Sequence, residues 1–357
     1  MSSVLFLSHT ARAGDFRVGS HHLSTAMAGS GHQVAHVSTP YSTVHSLLRP
    51  HQLARREVAS SGVTRVGGVA DFIPRPLLPA NIYWTQRQMQ KTLASIGIVR
   101  PDYVFVDQPL FPASHFPDAT VIFRPTDLFG TPALRRAARR AAHVADGIAA
   151  TSPGVLESVL PTHSVSSCVI ENGVEFSKFF ARSGTPKKYD FVYVGALDFR
   201  FDFPALISAA EALPTSEFAI FGPIPANVPR LPNNVLLRGS VAYERVADVM
   251  AAGRVGLMPF VANASNVARS PMKLYEYVAA GVPVVAPRPI ADRVTDIAGL
   301  RAYEPGIRGE LEKALASALS DNLEIEPTDI HSAADRDWNL VADQLMAFAK
   351  TCSQRNN

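Results

Sequence analysis

Short apolar, β-branched runs alternate with segments of helical period along almost the whole chain, the pattern of parallel sheets built from strand–helix–strand units. The fold class expected is α/β. In the first half, residues 4–8, 34–38, 103–107, 121–124, 147–151 and 168–171 predict strands, and 20–28, 82–95, 132–144 and 153–160 predict helices. Around Ser183-Gly184-Thr185-Pro186-Lys187-Lys188 the pattern breaks into turn formers and charge, and a fresh series of strands opens at Phe191. Strands are then expected over 191–194, 218–221, 235–238, 255–259 and 282–285, with helices near 204–212, 243–252, 271–280 and 310–319. This gives a first domain of residues 1–183, a second of 184–335, and a closing helix in 336–357 that crosses back to the first.

Length supports that division, because 357 residues exceed the roughly 250–300 at which a single core stops growing. A chain 47 % hydrophobic and 18 % charged is neither collagen-like nor disordered, and two cysteines, Cys168 and Cys352, make no disulfide scaffold or metal-ligand pair. The start, Met1-Ser2-Ser3-Val4-Leu5-Phe6-Leu7, lacks a basic region and a sustained apolar core. The apolar runs elsewhere are broken by Gly and Pro well short of the roughly 20 residues a spanning helix needs, so a cytoplasmic protein is expected. Charge is uneven. Residues 1–185 hold 17 of the 34 Lys and Arg against 11 of the 31 Asp and Glu, which turns the first half toward an anionic surface or substrate. No basic run is interleaved with aromatics, so nucleic acid is not expected as a partner. Neither G-x-G-x-x-G after a strand nor G-x-x-x-x-G-K-[ST] occurs, which argues against dinucleotide oxidoreductases and P-loop NTPases.

The most informative stretch is Ser270-Pro271-Met272-Lys273-Leu274-Tyr275-Glu276-Tyr277-Val278-Ala279-Ala280-Gly281. Ser270 fits a helix N-cap, Pro271 the first helical position and Gly281 the C-terminal stop. Lys273 then falls in the first turn, where a cation opposes the helix dipole by roughly 0.3–1 kcal/mol. A residue that breaks its local rule invites a functional reading. The free N–H groups of that turn, the positive helix end and the ammonium would together hold a diphosphate. Glu276 lies on the same face, one turn deeper, where a carboxylate accepts hydrogen bonds from ribose hydroxyls. An i,i+3 surface ion pair is the alternative on these residues alone.

This stretch, followed by Val282-Pro283-Val284-Val285, resembles the donor-domain signature of the GT-B glycosyltransferases. The resemblance implies two Rossmann-like doubly wound domains facing across a cleft, with Lys273 on the donor diphosphate and Glu276 on the ribose, beside Ser270 and Met272. Tyr193-Val194-Gly195 resembles the glycine turn opening the donor domain, Phe221-Gly222-Pro223 the second strand end, and Arg238-Gly239-Ser240-Val241 the loop that receives the base. Gly195, Gly222 and Arg238 are accordingly donor-site candidates. Many retaining members carry an acid eight residues before the ribose-binding one, and here Ala268 stands there. The chain is similar to the inverting glucuronosyltransferase of xanthan biosynthesis, which shares the Ser-x-Met-Lys helix start and a catalytic loop after an Arg-ending strand. On that resemblance Asp127, in Arg124-Pro125-Thr126-Asp127, is the general base. Its alternative as a helix cap is weakened by Thr131-Pro132, a better helix start.

Arg200, after the first donor-domain strand, would reach a phosphate or a sugar carboxylate, or lie on the surface. Arg17, Ser20 and His22, in the corresponding part of the first domain, are assigned to the acceptor. No metal or other cofactor is expected, since helix dipole and lysine supply positive charge, and the acid pairs Asp198…Asp202 and Asp335…Asp337 read as solvated or capping residues. The apolar segment 72–84 and the cationic face Arg135, Arg136, Arg139 and Arg140 suit peripheral contact with an anionic membrane or, equally, an ordinary packed loop and a solvated helix. The reaction expected is transfer of a hexosyl or glucuronosyl group from a nucleoside diphosphate sugar, with UDP as the expected nucleotide, to a glycan or lipid-linked hydroxyl. A sugar-nucleotide 2-epimerase and a non-catalytic sugar-nucleotide-binding protein are the alternatives.

Overall fold

A computed structural model describes residues 1–8, 10, 12, 17–38, 63–72, 86–111, 116–270, 272–294 and 296–355. It divides into two units, Met1–Glu171 with Trp338–Asn357, and Asn172–Asp337. The division falls twelve residues before the linker marked by turn formers, because Val174 and Phe179 are already buried in the core of the second unit.

Among the described residues the first unit has eight strands: β1 (Ser3–Ser8), β2 (Gln33–Ser38), β3 (Thr64–Val66), β4 (Val69–Phe72), β5 (Tyr103–Val106), β6 (Thr120–Phe123), β7 (Gly147–Ala150) and β8 (Ser166–Val169). Their order is β3-β4-β2-β1-β5-β6-β7-β8, parallel except for the β3–β4 hairpin. β3 and β4 were not expected from the sequence, and Phe72, the last residue of β4, is buried. The rest of the apolar segment it opens lies outside the described residues, as does the start of the helix expected over 82–95, seen as Gln86–Ser95. Continuous apolar runs such as Val4-Leu5-Phe6-Leu7 mark strands covered on both faces. The C-terminal helix Trp338–Arg355 packs on the Gly19–Gly29 helix, where Trp338 stacks on His22 with ring centroids 5.0 Å apart.

The second unit contains β9 (Tyr189–Val194), β10 (Phe218–Phe221), β11 (Val235–Gly239), β12 (Gly253–Leu257), β13 (Val284–Pro287) and β14 (Leu300–Tyr303). Their order is β11-β10-β9-β12-β13-β14, all parallel, with β14 an addition to the expected strands. In both sheets the chain winds outward to either side of the first strand. Each therefore has a switch point beyond the carboxyl end of that strand, where doubly wound sheets receive ligands. Among the described residues no helix is long and apolar enough to cross a membrane.

Candidate active site

In the second unit three neighbouring strands end in glycine. The Gly195 N–H donates to the Phe221 carbonyl at 2.9 Å, and the Gly222 N–H to the Gly239 carbonyl at 2.9 Å, so β9, β10 and β11 finish stepwise against one another. A Cβ on Gly222 would overlap the Gly195 carbonyl oxygen, and one on Gly195 would lie 2.6 Å from Lys273 Cε and from the Tyr193 hydroxyl. Gly195 thus leaves room for the lysine side chain, and Gly222 lets the two strand ends approach each other.

Lys273 is the second residue of the Met272–Ala279 helix. Tyr277, on the same helix, lies over Gly256 and donates its hydroxyl to the Val192 carbonyl at 2.9 Å, which fixes the helix against β9 and β12. Burial lowers the Lys273 ammonium to about 8, Glu276 opposes that shift, and Arg269 and Arg200 add to it. Glu276 is buried, and its carboxyl is raised by burial against the pull of Lys273 and Lys178. The surface ion pair that sequence allowed is not formed, since among the described residues neither Lys273 nor Glu276 makes a direct hydrogen bond or salt bridge. An ammonium and a carboxylate held apart at a helix start are groups kept for something other than each other.

The remaining donor-site candidates fall into different surroundings. Arg200 is held by Asp198 through its Nε at 2.9 Å and its Nη2 at 2.5 Å, so Asp198 is an ion-pair partner and not the solvated residue expected. Burial works to raise the Asp198 carboxyl, and the Arg200 hydrogen bonds with the Arg269 charge overcome it. Asp202 caps the Phe203–Ala212 helix by accepting from the Ala205 N–H. Met272 is half-buried beside Lys273, while Arg238 lies exposed near the end of β11. Ser270 has a partner away from the helix start. Its hydroxyl accepts from the Asn172 N–H at 2.8 Å, and the helix begins at Met272, with Pro271 outside the described residues. Asn172 and Arg269 were not singled out by sequence, because neither sits in a recognisable spacing.

In the first unit, Asp127 lies exposed in the loop after β6, with no hydrogen-bond or ion-pair partner among the described residues. The loop itself is fixed. Arg124 is buried and makes a two-point pair with Asp107, Nε to Oδ1 at 2.9 Å and Nη2 to Oδ2 at 2.8 Å. The Thr151 hydroxyl donates to the Thr126 carbonyl at 2.9 Å, and the Thr151 N–H to the Pro125 carbonyl at 3.2 Å. Thr131 caps the next helix by accepting from the Leu134 N–H, which leaves Asp127 without that task. Asp107 was missed as a partner. The signal was present, since β5 and β6 are parallel neighbours and the residue after each strand end lies beside the other.

The comparisons with known proteins bear on both units. Residues 204–326 match the "Glycosyl transferase-like" family. The chain is 27 % identical to TuaH of Bacillus subtilis (strain 168), named as a teichuronic acid biosynthesis glycosyltransferase, over 86 % of this chain and 84 % of that one. The chain has the two-unit α/β fold of the GT-B glycosyltransferases. Its fold is similar to that of the sucrose-phosphate synthase of Thermosynechococcus elongatus, with a TM-score of 0.74 at 14 % identity over 99 % and 100 % of the two chains. It is also similar to Anabaena HepE, solved in complex with UDP and glucose, with a TM-score of 0.66 at 16 % identity over 99 % and 100 %.

The chain departs from expectation on the acceptor side. Ser20 is fully buried, with its hydroxyl 2.8 Å from that of Ser8 and 3.1 Å from His36 Nε2. His36 Nδ1 lies 2.9 Å from Asp71. His22 is buried under Trp338. Both side chains are thus buried where exposed positions were expected, Ser20 in a hydrogen-bonded network and His22 in a ring stack. Arg17 is half-buried and its guanidinium donates to the Arg12 carbonyl. Among the described residues no cluster of His, Cys, Asp and Glu has metal-ligand geometry.

Proposed function

We propose that the enzyme transfers a sugar from a nucleoside diphosphate, with uridine as the nucleoside, to a glycan or lipid-linked hydroxyl with inversion at the anomeric carbon. The observation that carries the reading is the room left by Gly195 for a half-buried Lys273, without an ion-pair partner among the described residues, at the start of a helix that also carries the buried Glu276. A diphosphate satisfies both the ammonium and the helix end, and ribose hydroxyls satisfy the carboxylate. The UDP complex of HepE, a protein of the same fold, supports uridine as the nucleoside.

In this scheme Asp127 removes the proton of the acceptor hydroxyl, whose oxygen bonds to the anomeric carbon as the bond from that carbon to the diphosphate oxygen breaks. The electron pair leaves with the diphosphate, and Lys273 with the helix end meets the growing negative charge. Inversion is supported by Ala268, buried where retaining relatives place an acid, and by the likeness of the Asp127 loop to that of the xanthan glucuronosyltransferase.

The first experiment is thermal unfolding of the purified chain with UDP, GDP, dTDP and NAD in parallel, repeated with Lys273→Ala. A ligand at about 100 times its dissociation constant stabilises the native state by about 2.7 kcal/mol. Stabilisation by UDP that is lost with Lys273→Ala is the expected result. A shift with NAD alone would overturn the reading. Asp127→Asn is then expected to keep the UDP shift and lose transfer, and an NMR assignment of the product anomer tests inversion.

A further inference from the structure

We infer that the outer face of the Pro132–Val144 helix is a docking surface for an anionic lipid bilayer. The helix reads Pro-Ala-Leu-Arg-Arg-Ala-Ala-Arg-Arg-Ala-Ala-His-Val and contains no acid. Ala138, Ala141 and Ala142 are buried in the first unit, while Arg135, Arg136, Arg139 and Arg140 recur on the opposite side and are all exposed. Among the described residues none of the four has a carboxylate partner. Arg135 donates to the carbonyls of Gly130 and Phe129, at 2.9 and 3.3 Å, and Arg136, Arg139 and Arg140 project without a protein acceptor.

In the second unit Arg230, Arg238 and Arg308 are exposed singly, and several other surface arginines have a carboxylate beside them. There Arg182 and Arg245 share Asp248, Arg254 pairs with Asp190, Arg288 with Glu304, and Arg301 with Asp321. Four uncompensated guanidinium groups on one helix repel each other, and the cost is offset when an anionic surface supplies the counter-charge.

The shape and the neighbours of the row select the occupant. The arginines lie in two adjacent turns of a convex helix face, which meets an array of phosphates and does not enclose a single one. At its end, Val144 is 57 % exposed and Leu160 45 % exposed. His143, just before Val144, meets the ring of His163 at 4.4 Å, so the segment after Leu160 returns beside the helix end. Cations flanked by exposed aliphatic side chains match a bilayer interface, where the guanidinium groups meet headgroup phosphates and the aliphatic groups enter the acyl boundary. A soluble polyanion would use the first and leave the second in water.

The test is co-sedimentation of the full chain with vesicles of phosphatidylcholine, with or without one part in three of phosphatidylglycerol. Binding to the anionic vesicles alone, weakened by salt, is expected. Arg136→Gln/Arg139→Gln/Arg140→Gln, which spares Arg135, should lower the partition coefficient about 100-fold, near fivefold for each charge removed. Its melting temperature and UDP shift should stay unchanged, which separates this result from a failure of the donor site. Val144→Ser/Leu160→Ser should weaken vesicle binding several-fold and leave binding to soluble polyglutamate as it was. Equal vesicle binding by the triple variant would overturn the inference. So would no effect of the aliphatic pair together with tight polyglutamate binding, which would make the face a polyanion site.

Discussion

At the carboxyl ends of its strands the first unit buries polar groups, a chain from Ser8 through Ser20 and His36 to Asp71, beside the Arg124–Asp107 pair. The second unit places glycines at the ends of β9, β10 and β11, with Tyr193 against Gly195, and sets Tyr277 over Gly256 of β12. One strand order thus serves two purposes. Where a ligand must lie against the backbone, side chains are removed and aromatic rings fix the helix that carries the contacts. Where an exposed carboxylate must be aimed from a loop, buried hydrogen bonds and an ion pair hold the loop from below. The first arrangement depends on space and the second on charge, so the two units should fail under different insults.

Acid is the strongest of these. His21 is held neutral, lowered to about 2 by burial, with its Nε2 against the Thr10 carbonyl, and His36 is lowered by burial despite Asp71. Near and below the ordinary value of 6.5 the unfolded chain binds protons that the folded unit does not, so stability falls as pH falls. His21 costs about 1.4 kcal/mol per pH unit below that value, and His36 acts in the same direction. The first unit is expected to open before the second between pH 6 and 4. Pulsed hydrogen exchange read peptide by peptide checks the order, and simultaneous opening would remove the histidines as the cause.

Next in size is the buried pair under the loop that carries Asp127. Asp107→Asn leaves Arg124 charged without its partner and should cost about 3–5 kcal/mol of stability. Arg124→Lys keeps the charge and loses the two-point geometry, so a smaller loss of stability should come with a clear fall in kcat and little change in KM for the donor. Denaturant unfolding and initial rates together read this out. A fall in stability with no kcat effect from either variant would make the pair structural alone.

The spatial defect is smaller. A methyl on Gly222 meets a backbone oxygen that cannot rotate away, so Gly222→Ala should destabilise the second unit by about 1–3 kcal/mol. Gly195→Ala presses on the mobile end of Lys273 as well as on the Tyr193 hydroxyl, and should lose more affinity for a nucleoside diphosphate than stability. Calorimetric titration beside thermal unfolding compares the two. The reverse ranking would mean that the gap serves packing and not the lysine.

These contrasts also mark what was legible in the sequence. The α/β alternation, most strand positions and the Lys273–Glu276 helix follow from local pattern, because apolar runs and the first-turn lysine are visible within a few residues. Asp107 and Asp198 were not, since a carboxylate's role is set by the guanidinium that the fold brings to it. Ser20 and His22 were misplaced for a related reason. Polar residues in a helix read as solvent-facing, and only Trp338, more than 300 residues later, reveals that this helix is covered. β3 and β4 were missed because three and four residues are too few for a period, and β14 because Leu300-Arg301-Ala302-Tyr303 mixes polar and apolar positions.

The finest test of the spatial arrangement is the charge it holds. Lys273 falls from an ordinary 10.5 to about 8 because the fold buries it, with Arg269 and Arg200 adding like charge. Between those two values the unfolded chain binds the proton that the folded chain has released, so the stability of the free enzyme should rise with pH across that window. A diphosphate prefers the ammonium and pulls the other way. Its affinity should be level below pH 8 and fall by up to about tenfold for each pH unit above it, a loss of about 1.4 kcal/mol per unit. Titration of UDP from pH 7 to 9.5 measures the break. Lys273→Arg keeps the charge throughout and should remove it, whereas the same break in that variant would assign the titration to another group and separate Lys273 from the diphosphate.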